Sequence, residues 1–126
     1  MVSNGQVKLD VRAFLQLWVR AFNSHELEHL VALYEDDALL HGTSNSTLYV
    51  GVEEIRTYFH GAARANIDVC YCLSLAVDVA MVVGNYVFSE TRDGVQVATP
   101  ARFTFVLRRR DGAWKILHHH SSASPS

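Results

Sequence analysis

The chain divides into two halves with different hydrophobic periods. In the first, Val11, Phe14, Leu15, Trp18, Val19 and Phe22 recur at spacings of three and four, which predicts one amphipathic helix over about residues 7–22. Asn23 followed three residues later by Glu26 has the form of an N-cap with its reciprocal carboxylate. It predicts a shorter helix through Leu27, Leu30, Val31 and Tyr34. Short strands are expected at residues 38–41 and 48–50, either side of a polar loop from Gly42 to Thr47. A third helix is expected over residues 52–65, carrying Ile55, Tyr58, Phe59 and Ala62. From Asn66 onward the period falls to two and β-branched and aromatic residues become frequent. Four successive strands follow, near 67–75, 79–91, 97–110 and from Trp114. Asp93-Gly94 and Asp111-Gly112 are two-residue hairpin turns.

The Asp111-Gly112 turn sets a register in which Leu107 opposes Ile116, Phe105 opposes His118 and Phe103 opposes His120. One face of the last two strands then carries Phe103, Phe105, Leu107, Trp114, Ile116, His118 and His120. The reverse carries Arg102, Thr104, Val106, Arg108, Lys115, Leu117, His119 and Ser121. Helices are expected to cover the first face and to leave a pocket lined by Trp18, Tyr58, Asn85, Phe105, His118 and His120. The reverse face is only half polar, and Cys70, Cys72, Thr104, Val106, Leu117 and His119 are the positions expected to meet a second copy of the chain. Arg108 to Arg110 reads as a solvated hairpin end.

Composition narrows the function classes. The chain has 126 residues, 49% of them apolar, which fits one domain over residues 1–126 with flexible tails expected at 1–6 and 122–126. Eleven basic and thirteen acidic residues give a formal charge of −2 without a basic stripe, so nucleic acid is not an expected partner. No apolar run reaches bilayer length and no leader pattern opens the chain, which points to a cytoplasmic protein without a membrane partner. Cys70 and Cys72 are the only cysteines and read as free thiols. His118 and His120 share a strand face about 6–7 Å apart. A third metal ligand would have to come from Asp36, Asp37, His41 or a helix, no ligand motif supplies it, and neither metal nor cofactor is expected.

Three helices followed by a long antiparallel sheet is an α+β order of elements. It resembles the nuclear transport factor 2-like fold, a strongly curved mixed or antiparallel sheet wrapped around helices as a cone with one open end. The residues that carry the resemblance are Trp18 to Asn23 leading into Ala32 to Ala38, then Gly51 with Arg56, Tyr58 and Phe59, and above all Arg109-Arg110-Asp111-Gly112-Ala113-Trp114 continuing to His118, His120, Ser122 and Pro125. The last run resembles the association (hub) domain of calcium/calmodulin-dependent protein kinase II. That resemblance implies a non-catalytic domain that pairs into dimers and stacks into a ring, with kinase or other hub-like subunits as further partners. The chain departs from the family at three pocket arginines, where it holds Val87, Phe105 and Ser121. Ketosteroid isomerases and polyketide cyclases share the fold and imply the alternative, a small-molecule-binding or proton-transfer pocket. Alignment to them puts Gly42 at the base position, beside His41, and Trp18 at the phenol position, so both reacting groups are missing.

Overall fold

The computed structural model describes residues 4–125. Its elements run α1 (Asn4–Ser24), α2 (Leu27–Val31), β1 (Tyr34–His41), β2 (Leu48–Val50), α3 (Val52–Tyr58), β3 (Arg64–Ala76), β4 (Val79–Arg92), β5 (Val95–Arg110) and β6 (Ala113–Ala123). The strands form one sheet in the order β2-β1-β6-β5-β4-β3. The β1–β6 pair is parallel and every other pair antiparallel. The expected α+β architecture is present, with α1 lying in the hollow of a mixed, unclosed sheet. Val7, Val11, Phe14, Leu15 and Trp18 bury one stripe of α1 against Leu40, Val82, Tyr86, Phe105, Leu107 and Ile116 from the concave face. Both predicted hairpin turns form. Asp93, Gly94, Asp111 and Gly112 all take positive φ (52°, 77°, 54° and 78°), the backbone that a tight two-residue loop between twisted strands requires.

Several local expectations give way to tertiary contacts. Asn23 caps no helix, and α2 starts at Leu27 without a side-chain cap. The Asn23 amide is drawn across the fold, accepting from the Ala65 N–H (2.6 Å) and donating to the Ala65 carbonyl (3.0 Å), and so fastens the start of β3 to the end of α1. Helix α3 stops at Tyr58 instead of continuing to residue 65, because the chain must extend from Arg64 to pair with β4. Helix α1 begins at Asn4 and β6 runs to Ala123, so residues 4–6 and 122–123 of the stretches expected as tails belong to regular elements, while residues 1–3 and 126 lie outside the described residues. The arginine run is not simply solvated. Arg108 holds the buried Glu35 carboxylate at 3.1 Å, and Arg109 holds Asp78 at 3.0 Å and covers the Trp114 ring at 5.0 Å.

Two one-residue bulges decide which side chains face inward. The first falls between Ile67 and Val69 on β3, the second between Ile116 and His118 on β6. A bulge inserts one unpaired residue, and because side chains alternate with period two, everything beyond it changes face. On β3, Cys70 and Cys72 turn in toward α1, whereas Val69, Tyr71, Leu73 and Leu75 turn out. Gly84 belongs to the same device, since a Cβ there would lie 2.3 Å from the Val69 carbonyl at the bulge. On β6, Phe105 opposes His119 and Phe103 opposes Ser121, one residue later than the turn alone predicts.

Candidate functional site

Beyond the β6 bulge the inner face therefore carries His119 and Ser121. His118 and His120 lie on the convex face, opposite Val106 and Thr104. Strands β1, β4 and β6, the loop after β1 and helix α1 place polar groups around His119. Its Nδ1 lies 2.9 Å from the Tyr34 hydroxyl and its Nε2 lies 3.1 Å from the Tyr86 hydroxyl. Trp18 Nε1–H donates to the Tyr34 oxygen at 3.2 Å, Tyr86 donates to Ser121 Oγ, and Ser121 Oγ pairs with Thr43 Oγ1.

The donor count fixes the direction of this chain. The Tyr34 oxygen already accepts from Trp18, so the one acceptor left for its own proton is His119 Nδ1. His119 is then the Nε2–H tautomer and donates to Tyr86, which passes its hydroxyl proton to Ser121. A second proton on the imidazole would displace the Tyr34 proton from its only acceptor. Burial disfavours that charge further, as do His118 and His120 nearby, and His119, only 3% exposed, has its pKa pushed down to about 3. Burial likewise drives the Tyr34 and Tyr86 hydroxyls well above the usual phenol range, so both stay protonated donors.

This polar chain forms one wall of a cavity of about 460 Å³ at the open end of the cone. Trp18, Phe22, Leu40, Phe59 and Phe88 supply its apolar surface, and Thr43, Ser44, Asn45 and Tyr58 its polar lip, with the Glu90–Arg92 ion pair at the mouth. Of the six residues expected to line it, Trp18 and Tyr58 do. Phe105 is buried against His119, ring centres 4.4 Å apart, and is not among the lining side chains. Asn85 is exposed opposite Arg102 on the convex face, where His118 and His120 also stand. Among the positions expected at an interface, Thr104 and Val106 are on the convex face and Leu117 sits at the bulge. Cys70, Cys72 and His119 are on the inner side.

Sequence reasoning missed Tyr34, Tyr86, Ser121 and Thr43 as site residues. For Ser121 the one signal was alternation along β6, which the bulge reset, whereas Tyr34 was expected on a helix and Thr43 in a loop. Three consecutive histidines present an imidazole to the interior in either register, so residue type alone could not show the shift.

Gly42 has no room for a carboxylate-bearing side chain. The Tyr58 ring occupies the position, and a Cβ on Gly42 would lie 2.2 Å from it. His41, His118 and His120 cluster outside with ring centres 5.2, 6.0 and 6.4 Å apart. Desolvation and the two neighbouring imidazoles lower the pKa of His118. Among the described residues, no group of three or more His, Cys, Asp or Glu is arranged to hold a metal ion. No helix among them is long and apolar enough to cross a membrane.

Residues 11–125 match the SnoaL-like domain family. No curated protein matches the sequence significantly. The structure is similar to one from Xanthomonas campestris, provisionally described as a calcium/calmodulin dependent protein kinase II association domain. The two share 31% identity over 92% of this chain and 86% of the other, with a TM-score of 0.86. A ketosteroid isomerase-like protein from Erwinia carotovora atroseptica aligns at 23% identity, over 93% and 96% of the two chains, with a TM-score of 0.78. A nuclear transport factor 2-like protein of unknown function from Pseudomonas putida aligns at 18% identity, over 99% and 92%, with a TM-score of 0.85. At those identities the last two establish the shared fold.

Proposed function

Because the chain belongs to the SnoaL-like domain family, whose fold fixes no single activity, we propose that it is a non-catalytic oligomerisation domain that pairs through the convex face of its sheet. The observation that carries this reading is the apolar character of that face. Two rows of paired residues cross all six strands: Tyr71, Val83, Thr104, His120, His41 and Leu48 in one, and Leu73, Met81, Val106, His118, Leu39 and Val50 in the other. Tyr71 is 71% exposed and Leu73 52%, with Leu75 next along β3 at 55%. At about 4.8 Å per strand the rows extend roughly 24 Å, more apolar surface than scattered exposed side chains account for. A two-fold partner uses this patch twice and removes it from water. The likeness to the Xanthomonas campestris protein supports the reading, and two thiols outside any disulfide suit a reducing, cytoplasmic setting.

Val106→Asp and Leu73→Asp test it separately, one at the centre of the sheet and one on its edge strand. Each substitution enters a dimer twice, and a charge at the core of an interface costs about 2 kcal/mol or more per site. Sedimentation velocity is expected to show a dimer for the parent and a monomer for both variants. Two variants with unchanged mass would overturn convex-face pairing.

The cavity favours a second reading, small-molecule binding. Its volume falls within the roughly 300–1,000 Å³ of ligand pockets. His119 is neutral and Glu90 is paired with Arg92, so the site suits an uncharged ring compound. Titration with 2-naphthol is expected to quench Trp18 saturably, and Ala123→Trp, at the cavity mouth, to abolish the effect. Quenching that never saturates would remove this reading.

A further inference from the structure

The seam between α1 and the edge strand β3 is a groove in two stretches. One, of about 250 Å³, is bordered by Lys8, Arg12, Cys70 and Cys72, and the other, of about 410 Å³, by Arg12, Arg20, Asn66 and Cys70. Leu15 lies along both, so the floor is apolar while the helix side of the rim is cationic. Lys8, Arg12 and Arg20 are four and eight residues apart, a line of about 18 Å on one side of α1. None of the three is in an ion pair among the described residues. Asp68, the one acidic residue of β3, stands exposed at the bulge and borders neither stretch.

The β3 bulge brings both thiols to this groove, but on unequal terms. Across the sheet Cys72 is paired with Val82, a buried side chain that borders the same stretch. Cys70 is paired with Gly84, which has no side chain to cover it. Burial pushes the Cys72 thiol up, against the Lys8 ammonium nearby. Cys70 alone borders both stretches, with Arg12 bordering both beside it, Lys8 toward one end and Arg20 toward the other. A half-buried thiol in positive surroundings is where a thiolate is favoured and reachable.

We propose that Cys70 forms a reversible mixed disulfide with small anionic thiol compounds, those that carry carboxylates on either side of a central sulfur. The cations along α1 hold the carboxylates while the sulfur reaches Cys70. The Cys70 thiolate attacks one sulfur of the incoming disulfide, and a new S–S bond forms as the old one breaks. The departing half leaves as a thiolate and takes up the proton that Cys70 released, so the protein thiol is oxidised and the incoming disulfide reduced. Two residues apart on an extended strand, Cys70 and Cys72 have Cα atoms about 6.7 Å apart, near the upper limit for a disulfide. Cys72 therefore does not displace the added group, and a thiol from solution releases it. The site is independent of convex-face pairing, because neither Cys70 nor the three cations belong to the convex rows.

Intact-mass spectrometry tests it, with oxidised glutathione as the anionic disulfide and 2-hydroxyethyl disulfide as a neutral one. The folded parent is expected to gain one glutathionyl group, placed on Cys70 by fragmentation, retained in Cys72→Ser, absent in Cys70→Ser and removed by dithiothreitol. The ratio of the two rates, anionic over neutral, separates the grip of the cations from simple exposure of a thiol. Lys8→Gln/Arg12→Gln/Arg20→Gln alters only exposed side chains and is expected to lower that ratio about tenfold. In 1 M salt, where the screening length is about 3 Å, the parent's ratio is expected to fall likewise. An equal ratio in parent and triple variant, or addition at Cys72 as fast as at Cys70, overturns the assignment. So does a folded parent that gains nothing although both thiols react once it is unfolded in urea.

Discussion

Trp18→Ala is expected to remove about 3–5 kcal/mol from the free energy of unfolding, a large share of what a domain of this size has. Trp18 is fully buried and its ring joins the two layers of the fold. Its centroid lies 5.1 Å from Phe22 on its own helix, and 6.0, 5.6 and 5.9 Å from Tyr86, Phe105 and His119 on the sheet. Truncation opens a void that rigid strands on one side cannot close, and deprives the Tyr34 oxygen of its donor. Trp18→Phe separates the two effects. It keeps most of the ring contact and loses the N–H, so a smaller cost, about 1–2 kcal/mol, is expected. Urea unfolding at neutral pH and fixed protein concentration measures both, and equal losses in the two variants would mean that the hydrogen bond, not the packing, is what Trp18 supplies.

Trp18 also marks the part of the fold that local sequence pattern specifies. The stripe from Val11 to Phe22, the two Asp-Gly turns and the strands β4 and β5 follow from periodicity and turn chemistry, because each depends on neighbours within a few residues. The α+β architecture was legible for the same reason. The candidate site was not, since its polar chain depends on which side of β6 faces the helix. That is set by an extra residue near Leu117 in the pairing of β6 with β5, a contact between chains of residues and not a property of either strand. Cys70 and Cys72 were assigned to the outer face for the same reason, and Gly84 was the one available clue to the β3 bulge, as a glycine in an otherwise apolar strand marks a close backbone approach. Asn23 shows the complementary failure. Its local motif was a helix cap, and a longer-range pair of hydrogen bonds to Ala65 displaced it.

The same polar chain makes stability depend on pH through His119. In the unfolded chain the imidazole titrates near 6.5, and in the folded protein near 3, because burial and the Tyr34 proton exclude a second proton. The folded pKa is the lower one. Above pH 6.5 both states are neutral and the residue costs nothing. Below it the unfolded state binds a proton that the folded state refuses, so stability falls steadily as pH drops from 6.5 toward 3, by about 1.4 kcal/mol per unit. His118, lowered by desolvation, acts in the same direction. Between pH 7.5 and pH 5 the parent is expected to lose about 2 kcal/mol through His119 in urea unfolding. His119→Gln offers Tyr34 and Tyr86 an amide in place of the ring and has no proton to gain, so it is expected to start less stable at pH 7.5 and to show a slope shallower by that amount. Parallel pH profiles for the parent and His119→Gln would mean that His119 takes up a proton inside the folded protein as readily as in the unfolded chain, and that its Nδ1–H donates to the Tyr34 oxygen.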